Sequence, residues 1–140
     1  MNVDSIRDGI VIDHIAPGNA MKLYDLLGLA ELDVPVAMIT NVVSAKRGRK
    51  DIIKIDAEIP VDINVIGYVD PEATVNIIRN GELVEKKRIG MPETLVNVLK
   101  CKNPRCISCC EQELDQIFRL ADPEKREYRC GWCEAKAADI

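Results

Sequence analysis

The chain has 140 residues, 47% hydrophobic and 30% charged, with a formal net charge of −4. That balance specifies one ordinary globular domain or two small ones and excludes a disordered chain. It gives no general attraction to nucleic acid or to an anionic membrane surface. No stretch approaches the ~18 apolar residues of a membrane span, and with aromatics at 4% the core must be aliphatic.

The N-terminus, Met1-Asn2-Val3-Asp4, has neither the basic lead nor the apolar run of a secretory signal. Ile10 to Ile15 reads as a strand, with β-branched aliphatics around the polar pair Asp13-His14. Successive strand side chains face opposite ways, so Asp13 and His14 are not expected to form a same-face acid–base pair. Asn19 is a candidate helix cap. Ala20, Leu23, Tyr24 and Leu27 follow at helical spacing until Gly28 stops them. Val34 to Val43 and Asp51 to Ile59 are the next strands, separated by the basic loop Lys46-Arg47-Gly48-Arg49-Lys50. A charge run of that kind is usually a solvated turn. Lys54 differs, because a lysine between Ile53 and Ile55 on a strand needs water or an anionic partner.

A short helix is expected between Pro60 and Pro71. Thr74 to Arg79 and Glu82 to Arg88 then flank Asn80-Gly81, the dipeptide favoured in two-residue type I′ hairpins. The order β-α-β-β-α-β-β predicts an α+β fold, a ferredoxin-like antiparallel sheet with helices on one face and an extra strand. Lys86, on the last strand, is a second candidate phosphate contact. No P-loop or GxGxxG is present, and no nucleophile lies beside a base, so the chain reads as a binding protein and not as an enzyme.

All six cysteines lie between 101 and 133, and the first hundred residues have none. The contrast places a boundary near Gly90-Met91-Pro92, giving domains 1–91 and 92–140. The spacing Cys101-x4-Cys106 and Cys130-x2-Cys133, with turn residues Pro104 and Gly131, supplies four thiolates for one zinc ion. Such a shell leaves no open coordination position, so the site is structural. The tail is expected to be a small all-β, zinc-ribbon-like domain that depends on its metal. Reduced, metal-bound cysteines fit a cytoplasmic protein. Cys109 and Cys110 read as two free thiols beside the first knuckle. A zinc-ribbon nucleic-acid-binding protein is the alternative class. From Leu95 to Ile140, however, eight Lys or Arg balance eight Asp or Glu, which is no basic footprint. A thiol oxidoreductase built on Cys130-Gly131-Trp132-Cys133 would need a βαβ context that the tail lacks.

Taken in order, Val11-Ile12-Asp13-His14-Ile15, Gly48-Arg49-Lys50-Asp51 continuing to Lys54-Ile55, Ala73-Thr74-Val75-Asn76, Pro92-Glu93 with Asn97-Val98-Leu99, and Cys101-x4-Cys106-Ile107-Ser108 with Cys130-x2-Cys133-Glu134 resemble the regulatory chain of aspartate carbamoyltransferase. The resemblance implies a non-catalytic subunit of pyrimidine biosynthesis. Its allosteric domain would bind nucleoside triphosphates of the CTP and ATP class, and its zinc domain would dock on catalytic chains. A second regulatory chain would complete a homodimer, with no nucleic-acid or membrane partner. Carried over position by position, effector contacts would come from Val3, Asp4, Ile6, Val11, Asp13, His14, Lys54, Asn76, Ile78, Leu83 and Lys86. Lys54 and Lys86 would meet the phosphates and Asp13 the ribose. Zinc ligands would be Cys101, Cys106, Cys130 and Cys133. The segment between Ile59 and Pro71 is shorter than the family's second helix, and Gly81 offers no side chain at the turn near the pocket.

Overall fold

The computed structural model describes residues 7–45, 48–111 and 113–137, in two compact units, 1–90 and 91–140. The first unit runs β1 (Gly9–Ile15), α1 (Asn19–Leu26), β2 (Val36–Ser44), β3 (Gly48–Ile55), α2 (Ile63–Val69), β4 (Thr74–Arg79) and β5 (Glu82–Arg88). The sheet order is β2-β3-β1-β4-β5, with every neighbouring pair antiparallel. Four of those strands and two helices make the expected plait, and the hairpin adds the fifth strand at one edge. Asn80 and Gly81 both have positive φ, 52° and 75°, as a type I′ turn requires.

Strand alternation divides the sheet into two faces. Ile10, Ile12, Ile53, Ile55 and Val75 point to one of them and are buried with Ala20 and Leu23 of α1 and Ile66 and Val69 of α2. The helices therefore cover that face. Asp62 caps α2, its carboxylate accepting from the amides of Asn64 and Val65.

Several local expectations shift. Asn19 is the first residue of α1 and not its cap; Gly18 holds the cap position without a side chain. The capping carboxylate comes from β3, where the fully buried Asp51 accepts from the amides of Gly18 at 2.9 Å and Ala20 at 3.4 Å. The second strand starts two residues after Val34, because Pro35 has no amide to give a ladder and instead accepts from Asp56. The third strand is displaced toward the chain start: Gly48 to Lys50 of the basic loop belong to it, and it ends at Ile55. Lys46 and Arg47 lie outside the described residues.

Alternation breaks at the Asp13-His14 pair. Ile12 pairs with Ile53 and Ile15 with Asp51, so β1 carries one extra residue there, and His14 takes a left-handed φ of 58°. A matching bulge in β2, between Ile39 and Val42, puts Asn41 at φ 58°. Bulges of this kind re-aim side chains and add local twist.

The second unit contains β6 (Thr94–Val96), a single helical turn α3 (Ile107–Cys110), β7 (Ile117–Asp122) and β8 (Glu127–Cys130). Its sheet order is β6-β7-β8, all antiparallel. Leu95, Phe118 and Tyr128, with Cys106 and Cys130, are its buried side chains of the core. Phe118 thus fills this core, whereas Ile107 and Trp132 are exposed.

Candidate functional site

Two clusters of chemistry-bearing residues stand out, one in each unit. In the first, the sheet face away from the helices carries a continuous cross-strand row. Lys54 pairs with Val11, Val11 with Asn76, and Asn76 with Lys86. Paired residues share a face, so two lysines lie at the ends of one row, three strand spacings or ~14 Å apart at the backbone. Beside it runs a second row, Gly9–Ile78–Leu83, and on the other flank a third, Asp13–Thr74–Arg88. Asn76 Oδ1 is buried without a hydrogen-bond partner. An orphaned acceptor of that kind costs about 1–3 kcal/mol, which a ligand donor would offset.

At one end of this face opens a cleft of about 530 Å³ lined by His14, Pro71, Glu72, Ala73, Thr74, Lys86, Arg88 and Gly90. His14 reaches it because the bulge turns its backbone, and its Nδ1 lies 3.1 Å from Thr74 Oγ1. Among the residues expected to contact an effector, His14 and Lys86 line the cleft, while Val11, Asp13, Lys54, Asn76, Ile78 and Leu83 occupy the adjoining face. Val3, Asp4 and Ile6 lie outside the described residues. Sequence reading passed over Thr74, Arg88 and Lys50. Arg88 appeared there only as the last residue of the strand Glu82 to Arg88, and Lys50 only in the run read as a loop.

Lys50 Nζ sits 3.0 Å from Asp13 Oδ1, and the Asp13 carboxylate also accepts from the His14 amide at 2.7 Å. Burial alone would raise the Asp13 pKa. The Lys50 ammonium and the His14 amide outweigh it and hold the carboxyl below its usual 3.8. A lowered folded-state pKa stabilises the fold above the unfolded value, and that contribution disappears as pH falls through the lowered one. Asp13→Asn is therefore expected to cost stability at neutral pH. It should also flatten the loss of stability below pH 3.8, measured by urea unfolding across the acid range.

The second cluster is Cys101, Cys106, Cys130 and Cys133, whose sulfurs all lie within 4.8 Å of one another. Cys101 and Cys133 are 3.5 Å apart and Cys106 and Cys130 3.8 Å. A regular tetrahedron with zinc–sulfur bonds of ~2.3 Å has edges of ~3.8 Å, so the donor set fits the ion. Burial pushes the Cys101 thiol above its ordinary value, while the Ala135 amide draws Cys133 down to about 7. A bound cation would make both thiolates. The Trp132 amide points at Cys130 Sγ from 3.4 Å, and Gln116 Oε1 accepts from the Cys101 amide at 2.9 Å. Cys109 and Cys110 are exposed and outside the cluster; the Cys109 thiol donates to the Asn103 carbonyl at 3.0 Å.

Gly131 serves the knuckle through close approach, not through unusual φ. Its amide donates to Ile117 O at 2.6 Å, and an added Cβ would stand 3.2 Å from that carbonyl and from Ile117 Cγ2. Gly131→Ala should destabilise the unit by about 1–3 kcal/mol through overpacking, read as faster loss of zinc to a competing chelator.

The allosteric-domain model of the aspartate carbamoyltransferase regulatory chain matches residues 1–90, and the metal-binding-domain model of the same regulatory chain matches residues 93–139. The chain belongs to the aspartate carbamoyltransferase regulatory chain family. The aspartate carbamoyltransferase regulatory chain of Clostridium botulinum is 46% identical over 134 residues, covering 96% of this chain and 92% of its own length. That of Clostridium tetani is 44% identical over 135 residues, covering 96% and 94%. That of Bifidobacterium longum is 41% identical over 137 residues, covering 98% and 99%. Members are non-catalytic subunits, and the metal-binding domain of this one holds a four-cysteine cluster that fits one structural zinc ion. Among the described residues, no helix is long and apolar enough to cross a membrane.

Proposed function

We propose that this regulatory chain binds a nucleoside triphosphate of the CTP or ATP class across β1, β3, β4 and β5, and that the bound nucleotide alters the activity of catalytic chains docked on the zinc unit. The observation that carries the reading is the row Lys54–Val11–Asn76–Lys86, which ends in the cleft where the cations Lys86 and Arg88 stand beside His14. Cations there suit the triphosphate, Asp13 suits a ribose hydroxyl, and the apolar Val11, Ile78 and Leu83 suit the flat base. Nucleotide that binds one quaternary state better than another shifts the whole assembly toward that state.

Two surfaces would make the assembly. The sheet has two edges, and they differ in charge. β5 carries Glu82, Glu85, Lys86, Lys87 and Arg88, whereas the nine residues of β2 include no charged side chain and leave Val43 74% exposed. An uncharged edge strand of that length invites pairing, and a second copy of this chain meeting it about a twofold axis would form the homodimer. On the zinc unit, Val96, Ile107 and Trp132 are exposed, and these are the side chains we assign to the catalytic-chain contact. The Trp132 ring is held by a hydrogen bond from Nε1 to Asp115 O at 2.9 Å. We place the assembly in the cytoplasm, where thiolates stay reduced.

The test is to co-purify the chain with an aspartate carbamoyltransferase catalytic chain. Aspartate saturation is then measured with CTP, ATP or UTP added. At least one nucleotide should shift the curve, and the shift should vanish when the regulatory chain is left out. Identical curves under all conditions would refute the reading.

A further inference from the structure

We propose that Asp51, lying outside the effector site, is a coupling residue that ties occupancy of the cleft to the conformation of the β2 edge. The inference rests on the effector reading above and concerns a residue that touches no ligand in it. Asp51 is fully buried, and its carboxylate accepts from three backbone amides: Gly18 and Ala20 on Oδ2, and Asn41 at 3.0 Å on Oδ1. A buried carboxylate is tolerable only when several donors satisfy it, and such charge-assisted bonds are short and directional.

The three amides belong to two structures that the sheet alone would not join. Gly18 and Ala20 open α1, directly after the bulge that carries Asp13 and His14. Asn41 is the left-handed residue of the β2 bulge, at the edge strand. A residue at φ 58° other than glycine is strained unless neighbouring contacts hold it. Asp51 supplies such a contact for Asn41. Its chain neighbour Lys50 meanwhile holds Asp13 on the opposite face of the sheet. A nucleotide that engages Asp13 and His14 therefore pulls on both flanks of Asp51, through Lys50 and through the turn into α1. On the far side the same carboxylate fixes Asn41. A second buried carboxylate, Asp70, also holds that turn by accepting from the Ala16 amide at 2.5 Å.

The experiment is amide hydrogen exchange, by NMR, on the zinc-loaded full chain with and without saturating CTP, repeated with ATP. Ligand stabilisation of the whole fold slows every globally exchanging amide alike. The specific signature is excess slowing at Gly18, Ala20 and Asn41 relative to Val43 on the same edge. About tenfold is expected, within the usual range of intersite coupling. In Asp51→Asn, which turns an acceptor into a donor facing those amides, nucleotide should still bind within about threefold while the excess at Asn41 disappears. If Asp51→Asn does not fold, the wild-type measurement decides alone. Binding of nucleotide with no excess slowing at Asn41 overturns this inference and leaves the effector reading intact; failure of both CTP and ATP to bind overturns that reading and this inference with it.

Discussion

Stripping the metal with a chelator unfolds the 91–140 unit and leaves the five-stranded sheet of 1–90 in place. The reason lies in how little else holds the second unit together. Its fully buried core consists of Leu95, Phe118 and Tyr128 together with Cys106 and Cys130, and the last two are themselves metal ligands. A module of this size rarely gathers more than a few kcal/mol from apolar burial, whereas a structural zinc ion contributes about 10–16 kcal/mol at neutral pH. Among the described residues, the first unit has its own aliphatic core, around Ile12, Leu23, Ile53 and Ile66, and contributes no ligand to the cluster. The protein supplies its own probe, because its one tryptophan, Trp132, stands between Cys130 and Cys133. Chelation should shift Trp132 emission to that of a solvated indole, while exchange protection at Ile12 and Ile53 persists. Cys106→Ala should reproduce the effect without chelator, and Cys109→Ser, outside the cluster, should not. Loss of protection in the sheet before any change at Trp132 would contradict the assignment.

What could be read from residues alone was the part governed by local rules. The Asn80-Gly81 turn follows from the φ values those two residues accept, and the four-cysteine spacing follows from the reach of thiolates around one ion. The plait was legible because β-branched runs alternate with one amphipathic helix. Hidden were the features that depend on long-range partners. Asp51 reads as the start of a strand, and nothing near it in sequence says that its carboxylate caps a helix 31 residues earlier. Asn19 has the right chemistry for a cap, but that role is taken across the sheet, and its amide turns instead toward Val69 O and Asp70 at 3.5 Å. The two bulges were invisible for a similar reason, since a bulge is a mismatch between two strands and belongs to neither sequence. That mismatch brings His14 beside Thr74, where plain alternation would have sent the Asp13 and His14 side chains to opposite faces. The core position of Phe118 was hidden as well, because the size of the zinc unit's core cannot be counted before its strands are paired.

Reversing one charge at the cleft should separate phosphate recognition from base recognition. Lys86 lines the cleft from β5, is exposed, and pairs across the strands with Asn76. A charge-assisted hydrogen bond to a phosphate contributes roughly 1.5–3 kcal/mol. In Lys86→Glu that bond is lost and a carboxylate repels the same oxygens, for a combined effect of about 3 kcal/mol. At 1.4 kcal/mol per decade this weakens nucleotide binding about a hundredfold, whereas Lys86→Ala, with loss alone, should weaken it about tenfold. CTP and ATP share the triphosphate, so both should weaken by the same factor. A change at Leu83, on the apolar row, should instead alter the ratio between them. Because the Lys86 side chain is solvent-facing, the melting temperature of the unliganded chain should stay within a degree or two of wild type. Added salt should narrow the gap between wild type and Lys86→Glu, since screening weakens attraction and repulsion together. Titration calorimetry with each nucleotide at two salt concentrations decides it. Binding to Lys86→Glu within threefold of wild type, or a loss confined to one nucleotide, would move the phosphates away from this cleft. The Lys54 end of the row would then be the remaining candidate for the phosphate contact, since Lys50 on the same face is already engaged by Asp13.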